Sequence, residues 1–470
     1  MKTERYDLVI VGAGSGGYAA ARTARELGAT VALVDPGPLG GLCILRGCMP
    51  SKTLIATSDL AQDIREAEVL GVHAGDPRID LSAVMARKRE VIQGFTDYRV
   101  EALKSFPIYE GSARFESPTR LLVNDGLALE ATSFVVGTGS VIAPPALKGL
   151  ADVGYLDSDA VLDLELLPKS AIVLGGGYVA CELGQFLSRV GVKTTMLIRA
   201  KHLLSGEDQD VGEALTLYFR NEGIPVETGS LLSHVERRGK NKVVHVIRDG
   251  APREFEAEDI FYALGRVPNV EGLNLEAAGV RYHPITGIEI GSDIRTSARN
   301  IFAVGDVTGE FALVHVAIYQ GEIAARNAIN GTHERADYSL QRTHTIFTDP
   351  QIAIVGASEK ELRRKNVPYV SGAYLFSDHG KAVSINKTKG FVKMLASPED
   401  GSILGGAIVG AHASDLIHEL IVAMYYRANV YDFVRIPHLH PTMAEILTYP
   451  AEDIVSQLER GTPAVAAAAV

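Results

Sequence analysis

Two cysteines frame the segment Cys43-Ile44-Leu45-Arg46-Gly47-Cys48, just ahead of Pro50-Ser51-Lys52. Four intervening residues can close a small disulfide loop. The Pro-Ser-Lys run predicts a helix start, where the helix dipole stabilises a thiolate. Arg46 adds a cation that would depress a thiol pKa or attract an anionic substrate. The chain has only three cysteines in 470 residues, too few for a stapling framework, so a close pair reads as redox chemistry in a reducing compartment. Cys181 lies inside a predicted helix and reads as a packed core thiol. Near the other end stands His438-Leu439-His440-Pro441-Thr442-Met443-Ala444-Glu445. An imidazole exchanges a proton with a thiol near neutral pH, and a carboxylate on its other nitrogen sets the tautomer. Alone, the His-x-His pair would equally suit a metal site or a surface pair; the cysteines favour acid–base work. Asp415, His418 and Glu419 fall at helical spacing and read as a polar face.

Two glycine clusters must position a nucleotide. Gly12-x-Gly14-x-x-Gly17 follows an apolar strand (Leu8 to Val11), opens a helix predicted over about Gly16 to Leu27, and is followed by Asp35 at the end of the next strand. Such glycines let backbone N–H groups approach a pyrophosphate, and Asp35 can accept hydrogen bonds from a ribose. Gly175-x-Gly177-x-x-Ala180 repeats the arrangement, but Arg199 ends its second strand. A guanidinium favours the 2′-phosphate of NADP where a carboxylate would favour NAD, and Lys201 and His202 follow closely. A solvated basic turn is the alternative.

Forty-six basic residues against 57 acidic ones give a formal charge of −11, which repels a phosphate backbone and excludes a nucleic-acid binder. No apolar run approaches the roughly 20 residues that span a bilayer, so a soluble, cytoplasmic protein without a membrane partner is expected. Lys104 to Val136 alternates like a β-meander, with turns at Ser117-Pro118 and Asn124-Asp125-Gly126, and Lys242 to Phe261 alternates again. Pro144-Pro145 and Pro168 mark linkers. From about Arg342 strands precede long amphipathic helices. The expected class is α/β: two Rossmann-like dinucleotide-binding domains and a third domain of α+β type.

Taken together, the first fingerprint, C-x4-C-x-P-S-K, G-x-G-Y-x-A-x-E, A-L-G-R, G-D and H-P-T-x-x-E resemble the pyridine nucleotide–disulfide oxidoreductases of the glutathione reductase and dihydrolipoamide dehydrogenase type. The match runs in order from Tyr6 to about Glu459, and it implies an FAD-binding domain over 1–150 with a return segment over 268–341, an NAD(P)-binding domain over 151–267 and an α+β dimerisation domain over 342–460, ahead of a frayed tail, 461–470. The resemblance implies FAD on the first fingerprint, with Asp35 on its ribose and Lys52, Ala113, Thr138, Gly139, Asp306 and Ala312, Leu313, Val314 and His315 at further flavin positions. It implies NAD(P)(H) on Gly175, Gly177, Tyr178, Val179 and Arg199, with Tyr178 covering the nicotinamide pocket and Gly265 and Arg266 at a further nucleotide contact; NADP(H) is preferred. Glu182 matches the acid that pairs with Lys52. Cys48 matches the flavin-side sulfur and Cys43 the sulfur that meets substrate. His440 and Glu445 match the acid–base pair, supplied in this family by the other subunit of a homodimer. No metal site is implied.

Leu42, Leu45 and Arg46 depart from the usual surroundings of the cysteines. Val192 to Val226 is especially similar to mercuric reductases, yet no cysteine follows Cys181 to hand a metal inward, and Tyr178 is foreign to them. The favoured reading is a dihydrolipoamide dehydrogenase-like enzyme acting on a small dithiol or disulfide or a lipoyl-carrying protein. The alternatives are an NADPH-dependent reductase of another disulfide such as glutathione's, a flavin oxidase or reductase that bypasses the dithiol, and a non-catalytic flavoprotein.

Overall fold

The computed structural model describes residues 2–124 and 126–461; Asp125 of the expected turn and residues 462–470 of the expected tail lie outside them. The chain forms two compact units, each assembled from three stretches.

The first unit comprises Met1–Thr53, Met85–Pro144 and Gly265–Tyr338. Its sheet is centred on Lys2–Val11, whose apolar half, Leu8 to Val11, is buried on both faces, as parallel strands require. Lys2–Val11 pairs in parallel with Val31–Asp35 on one side and Leu127–Val136 on the other. Ile301–Ala303 also joins Leu127–Val136 in parallel. Only part of the alternating stretch after Lys104 is a meander. Ala113–Ser117, Arg120–Val123 and Leu127–Val136 run antiparallel, whereas Ile108–Glu110 lies beside Val31–Asp35 at the opposite edge of the sheet. Gly111, with φ of 152°, turns the chain between the two. Helix Ser15–Glu26 buries an alanine face, and helix Val314–Asn330 crosses it so closely that a Cβ on Gly321 would stand 2.3 Å from the Gly16 carbonyl oxygen.

The second unit comprises Leu54–Val84, Pro145–Leu264 and Ser339–Val470. Strands Val226–Glu227, Lys193–Leu197, Ser170–Leu174 and Asp259–Tyr262 form its four-stranded parallel sheet. The second alternating stretch divides here too. Asn241–Arg248 and Ala251–Ala257 form a hairpin, turned at Asp249 and Gly250 with φ of 52° and 74°, while Asp259–Tyr262 leaves it for the parallel sheet. The C-terminal part is an antiparallel sheet in the order His344–Ile346, Gln351–Gly356, Ile403–Gly410, Phe391–Ala396, Val370–Leu375. Helices Ala413–Tyr425 and Thr448–Glu459 bury Leu420 and Ile454 in its core. No helix is long and apolar enough to cross a membrane among the described residues.

Leu54–Val84 falls with the second unit, and the first unit resumes at Gly265, because Arg266–Pro268 pairs with Ser140–Ile142.

Candidate active site

The first glycine turn is built by close approach. A Cβ on Gly12, whose φ is 101°, would stand 2.3 Å from the Gly137 oxygen, and one on Gly17 would meet the Gly12 oxygen at 1.9 Å; Gly14 faces open space. Two glycines therefore pack the turn and the third leaves the helix N-terminus approachable, the form a pyrophosphate cradle needs. Asp35 ends its strand as expected and accepts the backbone N–H of Ala13 at 2.7 Å and of Gly37 at 2.8 Å, one on each oxygen. Each oxygen retains a lone-pair site for a ribose hydroxyl. Asp306 accepts the Ser140 hydroxyl at 2.7 Å, and Arg266 donates to the Ser140 hydroxyl and carbonyl oxygens at 3.0 and 2.8 Å. Arg266 is thus braced within the first unit. Thr138 donates its hydroxyl to the Asn269 carbonyl at 2.7 Å, Ala113 is buried in the sheet core, and Ala312 to His315 stand where helix Val314–Asn330 begins. These features fit FAD.

The cysteines adjoin this cradle. A Cβ on Gly41, first residue of the short helix Gly41–Arg46 that carries Cys43, would lie 2.8 Å from Gly14 Cα. Cys48 is the first residue of helix Cys48–Glu66, two positions earlier than the Pro-Ser-Lys run suggested, and Lys52 stands one turn on. Cys43 is half-buried and Cys48 exposed. Its hydrogen bond with Cys48, burial and the Cys48 charge together push the Cys43 thiol far up, with Lys52 acting the other way. Cys43 therefore holds its proton while the helix dipole favours charge on Cys48. Arg46 is exposed between them.

In the second unit Gly175, with φ of 122°, packs against the Ala263 oxygen as Gly12 packs against Gly137, and Gly177 again faces open space before helix Tyr178–Arg189. Val179 is exposed beside Tyr178. Arg199 is exposed two residues beyond strand Lys193–Leu197, and His202 bonds the Leu203 carbonyl at 2.7 Å. Cys181 is fully buried, and burial followed by the Glu182 charge pushes its thiol up, as suits a core residue. Glu182 is buried and accepts the Phe347 backbone N–H at 2.9 Å. Tyr178 donates its hydroxyl to Glu207, and His344 Nε2 lies 3.2 Å from the same carboxylate, its ring tilted 31° from the tyrosine at 5.4 Å between centroids.

The two histidines near the C-terminus take different carboxylates. His438 is held by Glu419 at 2.5 Å and by the Ile436 carbonyl, which removes Glu419 from the expected solvated face. His440 is exposed, and its Nδ1 lies 3.0 Å from both oxygens of Glu445, leaving Nε2 for a proton partner.

Residues 6–321 match the model for pyridine nucleotide-disulphide oxidoreductases, and residues 343–451 match the dimerisation domain of the same family. The chain belongs to the pyridine nucleotide-disulphide oxidoreductase family. It is 34% identical to the dihydrolipoyl dehydrogenase of Chlamydia pneumoniae over 449 residues, covering 94% of this chain and 96% of the relative. Identity to the dihydrolipoyl dehydrogenase of Geobacillus stearothermophilus is also 34%, over 95% of each chain. A Bacillus cereus mercuric reductase is 32% identical over 94% of this chain but only 69% of its own length. The copper(II) complex of an HOCl-induced flavoprotein disulfide reductase from Escherichia coli shares the fold, with a TM-score of 0.85 at 23% identity, covering 96% of this chain and 100% of that one. The chain is therefore an FAD-dependent disulfide oxidoreductase that uses a pyridine nucleotide.

Sequence reasoning missed Ser140, Asn269, Glu207 as a tyrosine partner, and His344. Each acts through a side chain or carbonyl brought close by the fold. Only Glu207 carried a signal, as half of the acidic Glu207-Asp208 pair before a helix.

Proposed function

We propose that this enzyme exchanges two electrons between NADP(H) and a small dithiol or a lipoyl-carrying protein, in the manner of the dihydrolipoyl dehydrogenases. The observation that carries this reading is the hydrogen-bonded Cys43–Cys48 pair at a helix N-terminus, packed against the glycine turn that would receive the flavin pyrophosphate. When bound, FAD supplies a two-electron carrier able to exchange electrons with a nicotinamide and with a sulfur pair. The chain's own residues handle the sulfur and the protons. Cys48, at the head of its helix and one turn from Lys52, is the stable thiolate. Cys43 meets the substrate sulfur, and because its proton is tightly held it needs a base to become a nucleophile. His440 takes that proton on Nε2 and Glu445 fixes its tautomer. An imidazole 76% exposed at the surface of its own chain suits action on a second protomer of a homodimer. Arg199 supports NADP(H), and a low cysteine count suits a cytoplasmic setting.

Anaerobic titration with NADPH and NADH separately, followed by lipoamide, dihydrolipoamide and glutathione disulfide, tests the reading. NADPH should bleach the flavin band at about 450 nm and lipoamide should restore it. Better bleaching by NADH overturns the nucleotide preference, and reoxidation by glutathione disulfide but not lipoamide overturns the substrate. Full turnover in C48S would mean that electrons bypass the sulfurs.

A further inference from the structure

A third imidazole stands behind the His440–Glu445 pair. His379 is only 1% exposed, on the turn between strand Val370–Leu375 and the short helix Gly380–Ser384. Its Nδ1 accepts the backbone N–H of Ala382 at 3.4 Å, so the ring proton of the neutral imidazole belongs on Nε2. That Nε2 finds no hydrogen-bond partner among the described residues, and it lies 3.9 Å from Glu445 Oε2. Tyr449 of helix Thr448–Glu459 meets the ring edge to face, with centroids 6.1 Å apart, and itself stacks on Tyr374 at 4.1 Å. The ring is therefore held in place with its polar hydrogen on the nitrogen that lies 3.9 Å from the carboxylate that orients His440.

A buried donor without a partner is costly, and a shift of about 1 Å would close this one onto Glu445. We infer that His379 is a positioning residue for the acid–base pair: its neutral N–H steadies Glu445 and draws charge from the carboxylate, which keeps His440 basic enough to take a thiol proton and acidic enough to return it. The inference rests on the acid–base reading of His440. Neutrality matters, because a protonated His379 would compete with His440 for Glu445 as an ion pair. The titratable groups facing His379 are Glu445, His440 and Tyr449. Burial pushes its pKa down, Glu445 opposes that, and His440 adds to it.

The test is the pH profile of dithiol-linked turnover in flavin-loaded H379F, H379L and H379Q beside H440Q. Without the N–H donor, Glu445 directs more of its charge at His440. H379F and H379L should therefore move the acidic limb upward by about half a unit, with a rate at pH 7 lower by up to about 3-fold, while H379Q, which retains a donor of similar reach, stays near wild type. H440Q should lose about 100-fold or more across the range. An inactive H440Q beside an H379F or H379L with an unmoved limb overturns this inference and spares the acid–base reading. An active H440Q overturns both. Loss of flavin in both H379F and H379L, with an H379Q profile displaced as far as theirs was expected to be, also overturns it, since retention of the donor would then have made no difference.

Discussion

Arg189 to Met is the perturbation with the largest worked consequence. The Arg189 side chain is 1% exposed and ends the helix that begins with Tyr178 and carries Glu182. Its guanidinium donates to Glu222 at 2.6 and 2.9 Å, to Asp349 at 2.7 Å and to Asp59 at 2.7 Å. Gln185 ties the same group together, donating to Glu222 and to the Asp349 carbonyl and accepting the Asp349 backbone N–H. Burial opposes the charge on Arg189, but the bonds to Glu222 and the Asp349 charge outweigh it and raise its pKa. Methionine fills much of the volume and strands two mostly buried carboxylates. Breaking a buried ion pair from one side costs about 3–5 kcal/mol, whereas Asp59, 42% exposed, adds little. At about 2–4 °C per kcal/mol for a unit of this size, calorimetry should show the affected transition about 6–20 °C lower. R189M/E222M should recover part of the loss by removing the stranded charge. A drop of less than about 2 °C in R189M would refute the reasoning, since the cluster would then contribute no more than a surface pair.

Asp59 has its pKa pushed up to about 6, first by burial and then by Asp349 and Asp63 against the pull of Arg189. A carboxyl whose folded-state pKa is raised loses stability as pH climbs from its unfolded value toward 6, so the melting temperature of D59N relative to wild type should rise between pH 4.5 and 7.5; a flat difference counts against the assignment. R199E should lower kcat/KM for NADPH by about 10- to 100-fold, the value of one charge-assisted phosphate contact, while leaving NADH nearly unchanged. G41A places a Cβ 2.8 Å from Gly14 Cα at a residue with φ of 76°, and purified protein should show a lower ratio of flavin to protein absorbance with its secondary structure intact by circular dichroism. Y178F leaves buried Glu207 with His344 as its side-chain partner and should change KM for the nicotinamide nucleotide more than the rate of dihydrolipoamide oxidation, both read in steady-state assays.

What the sequence disclosed was whatever is local along the chain. The glycine fingerprints, Asp35, the cysteine pair and the His440–Glu445 couple are each written within some 25 consecutive residues, and steric rules at a strand–helix turn make them readable. The alternating stretches were read as strands correctly in kind but not in partner. Ile108–Glu110 and Asp259–Tyr262 each abandon an antiparallel neighbour for a parallel one, and periodicity says nothing about which edge a strand will join. Glu207 and His344 are 137 positions apart, and Arg189 gathers carboxylates from 33 to 160 positions away. Such contacts exist only after folding. His379 passed unnoticed for the same reason, since an isolated histidine beside a glycine carries no signal until Glu445 is brought to it.

The assembly of the first unit from three separate stretches also bears on synthesis. Its cradle draws on Gly12, on Gly137 and on Asp306, which leave the ribosome about 300 residues apart, and the strand Ile301–Ala303 that completes the sheet is equally late. At about 5–20 residues per second, the earliest segment waits roughly 15–60 s for its last neighbour, and the part of Leu127–Val136 that pairs with Ile301–Ala303 waits roughly 8–33 s. The continuous stretch Pro145–Leu264 contains every strand of the other parallel sheet and can condense during that wait. Nascent chains stalled before residue 300 should accordingly recruit chaperones and fail to capture flavin, so that prosthetic-group loading becomes a late, near-release event in the making of this protein.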